Sequence, residues 1–147
     1  MIYYFSDHTG VSSPTWETYP ATEINRAIYP AAEWLLGYNL PYNTNLNTDV
    51  SGDNIDLLME YALDLVPSDD NSGNTSRREL SGGEMAITFN ALRDNMIYTV
   101  DQSTDLQTWP TNGIFYTSGT NNIRHAVTLK NNEPKRFLRL TIEVSAP

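Results

Sequence analysis

The twelve residues Asp49-Val50-Ser51-Gly52-Asp53-Asn54-Ile55-Asp56-Leu57-Leu58-Met59-Glu60 place side-chain oxygens at loop positions 1, 3, 5 and 12, just where a helical pattern begins. An EF-hand-type loop wraps calcium with this spacing. Alternate residues of a tight curl point inward, the carbonyl at position 7 (here Ile55) adds an oxygen, and a carboxylate on the following helix closes the shell. Asp49, Asp53 and Glu60 would bring three negative charges to a hard dication, with Ser51 and the Ile55 carbonyl as the other protein ligands. Without the ion these carboxylates repel one another, so calcium is expected to stabilise the fold by mass action. Position 6, usually Gly because the turn needs positive φ, is Asn54, the next most tolerant residue. Position 9, often polar, is Leu57, which is expected to face the core. The alternative is an acidic turn with an Asp cap before a helix.

Other chemistry has thinner support. His8 and His125 are the only histidines and there is no cysteine, which excludes a histidine-rich or thiolate metal site. Asp101 and Asp105 form a carboxylate pair on paper, although Asp105 reads better as a turn residue within Ser103-Thr104-Asp105-Leu106. Ser81-Gly82-Gly83-Glu84 lacks the Lys and the following helix of a phosphate loop and reads as a turn into a strand. Among the aromatic residues, Trp109 and Tyr116 are candidates for stacking on a polysaccharide, with core filling as the competing duty.

The elements that must position these residues follow from periodicity. A short helix is expected from Pro30 through Ala31, Trp34, Leu35 and Tyr38, and a second from Ile55 to before Pro67. The second has Leu57, Leu58, Tyr61, Ala62 and Leu65 on its apolar stripe and Asp56, Glu60 and Asp64 largely off it. The run 67–76 is made of turn formers and small polar residues and reads as a linker or long surface loop. Beyond it the period becomes two. Met85, Ile87 and Phe89 alternate with polar neighbours, Asp94-Asn95 supplies a turn, and 96–100 resumes, which predicts a β-hairpin. Val127 and Leu129 alternate again, as do Leu138, Leu140, Ile142 and Val144. Short strands with no intervening helix favour an antiparallel sandwich over a parallel sheet.

Composition narrows the function classes. The chain of 147 residues carries a net charge of -9, the wrong sign for a nucleic-acid partner, and no stretch reaches the roughly 20 apolar residues of a membrane span. Residues 1–75 hold eleven acidic side chains and one basic, against seven and eight in 76–147, so the acidity sits in the first half. Residues 1–5 lack the basic and apolar regions of a secretory signal.

The loop running into Leu57-Leu58-Met59-Glu60-Tyr61-Ala62-Leu63-Asp64-Leu65-Val66-Pro67 resembles the segment that follows thrombospondin type-3-like or dockerin-like calcium loops in large secreted bacterial proteins, where it introduces a C-terminal β-sandwich. The likeness continues through Ile87-Thr88-Phe89, Tyr98-Thr99-Val100, Ser103-Thr104-Asp105-Leu106-Gln107-Thr108-Trp109 and Arg136-Phe137-Leu138-Arg139-Leu140, covering roughly 31–144. Such modules are typical of planctomycete and verrucomicrobial bacteria. The family pattern commonly has Asp at position 3 and Asn at position 9, where this chain has Ser51 and Leu57. The resemblance implies a non-catalytic, calcium-stabilised extracellular or cell-surface module, belonging to a longer secreted protein.

The expected organisation is therefore mainly β with a small α part. An N-terminal extension with a possible extra strand (1–30) precedes a helix–calcium loop–helix unit (31–67), a linker or long loop (68–82) and an antiparallel, immunoglobulin- or fibronectin-like β-sandwich (83–147). The expected function is structural or adhesive, with self-assembly into a homo-oligomer or fibre by strand addition. A carbohydrate-binding module using Trp109 and Tyr116 is the alternative.

Overall fold

The computed structural model describes residues 1–7, 15–16, 19–118, 122–128 and 135–145. His8, Leu129 and the side chain of Trp16 lie outside the described residues. The chain is mainly β, 39% strand and 10% helix, and divides into two compact units, Met1–Asn45 and Leu46–Ala146.

In the first unit, β1 (Ile2–Phe5), β2 (Thr15–Trp16) and β3 (Tyr19–Ile24) form a sheet in the order β1-β3-β2, followed by α1 (Ala32–Gly37). Tyr4, Ala21, Ile24, Ala32 and Leu35 are its buried residues. The N-terminal run is a strand, as expected, but it pairs with β3 in this separate sheet and in the parallel sense, Ile2 opposite Ala21. Pro30 lies before the helix, whose cap is Ala31.

The second unit begins at the acidic loop. It continues with α2 (Leu57–Leu63), β4 (Arg77–Ser81), β5 (Glu84–Asn90), β6 (Met96–Ser103), β7 (Ile114–Ser118), β8 (Ile123–Thr128) and β9 (Phe137–Val144). Two antiparallel sheets result, β4-β5-β8-β7 and β6-β9. Residues 68–82, expected as a linker or long loop, thus contain a strand. Its sequence Arg-Arg-Glu-Leu-Ser hides the fact because β4 is an exposed edge strand, with charged side chains of the kind that discourage further pairing. Gly82 and Gly83, both at positive φ (59° and 86°), make the two-residue turn joining β4 to β5.

The expected hairpin over 85–100 is not formed: β5 pairs with β4 and β8, whereas β6 pairs with β9. The connection between β5 and β6 is held away from a hairpin turn by α2. Arg93 donates to the Tyr61 carbonyl (3.1 Å) and to Asp64 (2.6 Å), and the Tyr98 hydroxyl donates to the Ala62 carbonyl (2.7 Å). The alternation itself survives, since Ile87, Phe89, Tyr98 and Val100 are all buried, but it belongs to two sheets in contact. The rings of Phe89 and Tyr98 stack at 5.9 Å, and the Tyr116 hydroxyl on β7 accepts from the Val100 N–H on β6 (2.8 Å) and donates to its carbonyl (3.3 Å).

After β6 the chain turns on Asp105, as its motif suggests. One carboxylate oxygen accepts from the N–H groups of Gln107 (2.8 Å) and Thr108 (2.9 Å) and from the Ser103 hydroxyl (3.0 Å). The N–H donors of Thr108 and Gln107 outweigh desolvation and hold the carboxyl at about 2, below its ordinary 3.8. A depressed folded-state value means a contribution fully present above 3.8 and lost as the pH falls towards about 2. In thermal melts, Asp105→Ala is expected to melt lower than the unsubstituted protein at neutral pH, with the gap closing across that window. A gap that is constant with pH would contradict the assignment.

Candidate metal centre

Local sequence builds the loop. Asp49 heads it, with one carboxylate oxygen accepting from the Gly52 N–H (2.7 Å) and the other from the Asn54 N–H (2.9 Å). This curl requires left-handed backbone at two places, supplied by Gly52 (φ 80°) and Asn54 (φ 68°). The Asn54 substitution is therefore accommodated as the sequence suggested. The ends of the loop are tied by the Leu57 N–H to the Thr48 carbonyl (3.0 Å) and the Leu58 N–H to the Leu46 carbonyl (2.8 Å). Leu57 is fully buried, as expected for an apolar position 9.

α2 starts at Asp56, whose side chain accepts from the Met59 N–H (2.9 Å). Both sequence readings of the segment therefore meet in one place: the Asp cap exists, and the acidic loop lies immediately before it. Asp64, left-handed at φ 59°, ends the helix, and the Leu65 N–H returns to the Glu60 carbonyl (2.8 Å).

The five candidate ligands fall into two groups. Asp49, Ser51 and Asp53 are neighbours: the Ser51 hydroxyl donates to Asp49 at 3.4 Å and also serves Asp53. Asp53 in turn accepts from the Ile55 N–H (2.7 Å), which fixes the position-7 backbone next to it. Glu60, expected off the apolar stripe, is instead fully buried on α2 beside Leu57, Tyr61 and Ala62. Its Oε1 accepts from the side-chain amide of Asn71 (2.9 Å), and its Oε2 is buried with no hydrogen-bond partner.

Asn71 joins the two groups, and sequence reasoning missed it. Its backbone N–H donates to Asp53 while its side chain donates to Glu60, to the Val66 carbonyl (2.9 Å) and, at 3.3 Å, to the Asp69 carbonyl. The run expected as a flexible connection thus folds back over the acidic loop, and Asn71 is only 3% exposed. The available signal was the Asx chemistry of Asp69-Asp70-Asn71-Ser72, which builds an ordered turn: Asp70 accepts from the hydroxyl (2.7 Å) and N–H (3.1 Å) of Ser72.

The electrostatics of the two groups are opposed. Desolvation pushes the Asp53 carboxyl up, but donation from Asn71, Ile55 and Ser51 together outweighs it and holds the group below its ordinary range. Burial raises the Glu60 carboxyl, the Asn71 amide only partly offsets this, and the charges of Asp53, Asp49 and Asp56 add to the rise. A carboxylate buried beside other carboxylates with one oxygen unpartnered is a costly arrangement. It is relieved by a proton or by a cation. The donor set is all oxygen and suits a hard dication. As the side chains stand, no three His, Cys, Asp or Glu among the described residues are close enough together to hold an ion. The carboxylates would have to draw in around one.

The remaining candidates lie on or beside the strands of the second unit. Asp101 is 6% exposed and paired across the strands with Arg139 (2.8 Å). His125, half-buried on β8, meets the Thr88 hydroxyl at 2.8 Å. Trp109 lies under the Arg139 guanidinium (4.3 Å from the ring centre), and the Tyr116 hydroxyl is committed to Val100.

Comparison with known proteins returns no match among family models, curated proteins or solved structures, so the likeness to calcium-loop modules rests on the motifs alone. The role of Asn71 is directly testable. Asn71→Ala leaves the second Glu60 oxygen without its buried donor, which is expected to cost about 2–3 kcal/mol in urea unfolding. Ser72→Ala, at an exposed turn position, is expected to cost less than about 0.5 kcal/mol. Equal effects would contradict the bridging role.

Proposed function

We propose that this chain is a non-catalytic, calcium-stabilised module that works outside the cell or at its surface as a structural or adhesive unit. The observation that carries this reading is the Glu60 carboxylate, fully buried with Oε2 unpartnered and close enough to Asp49 and Asp53 to feel their charge. A divalent cation held by Asp49, Ser51, Asp53, the Ile55 carbonyl and Glu60, with water completing the six to eight oxygens, would offset most of that charge. It would also fasten the loop to α2. With serine at position 3 and leucine at position 9, the set is weaker than a full complement. That suits the roughly 10⁻⁴ to 10⁻³ M affinities of extracellular sites.

In this reading the two sheets of the second unit form an immunoglobulin- or fibronectin-like sandwich. Supporting contacts are the Phe89–Tyr98 stack and the bonds from Tyr116 to Val100. Partners are the remainder of a longer secreted protein or further copies joined by strand addition. The carbohydrate-binding alternative would rest on Trp109 and Tyr116: Tyr116 is 47% exposed with its hydroxyl bonded to Val100, and Trp109 lies under the Arg139 guanidinium.

The test is thermal melting of chelator-treated protein with and without calcium. At 10 mM calcium, affinities in the extracellular range correspond to about 1.4–2.7 kcal/mol of stabilisation. Glu60→Gln removes the buried charge, so it is expected to be at least as stable as the unsubstituted protein in chelator and to lose the calcium response. A response that survives in Glu60→Gln, or none in the unsubstituted protein, would overturn the reading.

A further inference from the structure

The two sheets of the second unit differ in width, four strands against two, and they treat their edges differently. On β6 the free edge is sealed: the Val100 N–H and carbonyl both bond the Tyr116 hydroxyl. Those Val100 groups therefore point away from β9. Directly opposed residues of an antiparallel ladder share their hydrogen-bonding sense, so Leu140, opposite Val100, also turns its N–H and carbonyl away from its partner strand. The same parity applies to Leu138, opposite Gln102, whose own N–H leaves the ladder for the Pro110 carbonyl (3.1 Å). Leu138 and Leu140 thus turn their backbone groups to the outer edge of β9, where no described strand lies.

Beside that edge runs a groove of about 420 Å³, with Met85, Ile87, Leu138 and Leu140 among its apolar lining and Arg78 and Arg136 among its polar lining. Register explains the groove. Arg78 lies opposite Ile87 and Leu80 opposite Met85, so β4 shares the face on which Ile87 is buried. Ile87 is 5% exposed whereas Leu80 is 76% exposed, because the narrower sheet does not reach over β4. The groove therefore lies between β4–β5 and the outer edge of β9.

We infer that this edge accepts one extended segment of another polypeptide, with apolar side chains at alternate positions and a carboxylate facing Arg78. The inference replaces the self-assembly part of the reading above with a strand supplied by a different polypeptide, and it does not depend on the ion. Backbone pairing with Leu138 and Leu140 would supply affinity, and the apolar floor would select alternate side chains. The acidic preference follows from Arg78, which lines the groove with no ion pair among the described residues, whereas Glu79, which also lines it, is paired with Arg77 (3.0 Å).

The probes are acetylated octapeptides alternating valine and threonine, with one inward valine replaced by glutamate or by lysine. Each is titrated by fluorescence anisotropy in calcium and again in chelator, so that failure of the ion reading leaves the result readable. The glutamate peptide is expected to bind about tenfold more tightly than the lysine peptide, and Arg78→Glu to reverse the order. Leu140→Pro removes an outward N–H without breaking the β6–β9 ladder. It is expected to keep the circular dichroism of the unsubstituted protein and weaken binding at least about tenfold. Amide exchange supplies an independent reading: Leu138 and Leu140 should exchange fast in the free protein and slowly with peptide. Slow exchange in the free protein, or equal binding of both peptides, would overturn the proposal. So would concentration-dependent sedimentation abolished by Leu140→Pro, which would make a second copy the occupant.

Discussion

A carboxylate removed from water must find a partner for each oxygen or give up its charge, and Glu60 meets that demand only halfway. One oxygen has the Asn71 amide, and the other has no partner. The surrounding architecture is arranged about this point. α2 carries the group inward, the turn at 69–72 returns to cover it, and the loop before the helix brings Asp49 and Asp53 up behind it. Burial, first, and then the charges of Asp53, Asp49 and Asp56 raise the Glu60 carboxyl above its ordinary range, against the partial offset from the Asn71 amide. A dication relieves this by making the same negative charges mutually compatible.

The site is also wired to the sheets. The last turn of α2 offers its carbonyls and Asp64 to Arg93 and Tyr98, residues of the β5–β6 connection and of β6. These bonds turn what would be a hairpin into a passage from one sheet to the other. The helix that carries Glu60 is thereby bonded to the β5–β6 crossing, so order at the loop and order at that crossing are linked. The edges show a second division of labour. β4 discourages partners with charge, β6 is closed by Tyr116, and no described strand pairs with the outer edge of β9.

Much of this was legible in the sequence because it is local. The left-handed turn at Asn54, the Asp56 cap, the Asp105 turn and the alternation of the long strands all follow from residues a few positions apart. What failed to show was what depends on distant partners. Alternation over 85–100 identifies two strands, but it is the same whether they pair with each other or face one another from separate sheets. β4 carried no apolar pattern because only an edge strand tolerates such a sequence. Asn71 looked like any other turn former, since its importance comes from Glu60, eleven residues away, and Asp53, eighteen away. Glu60 itself was expected as a ligand from its spacing and off the apolar stripe from its polarity, and the structure puts it wholly inside.

The most direct measurement is anomalous scattering from a crystal of the protein grown in calcium chloride. The account predicts one calcium per chain, with Glu60 and the Asp49 and Asp53 carboxylates at about 2.3–2.6 Å and Oε2 of Glu60 among the ligands. A crystal with no anomalous peak at the loop, and with Oε2 hydrogen-bonded to protein or water, would contradict it.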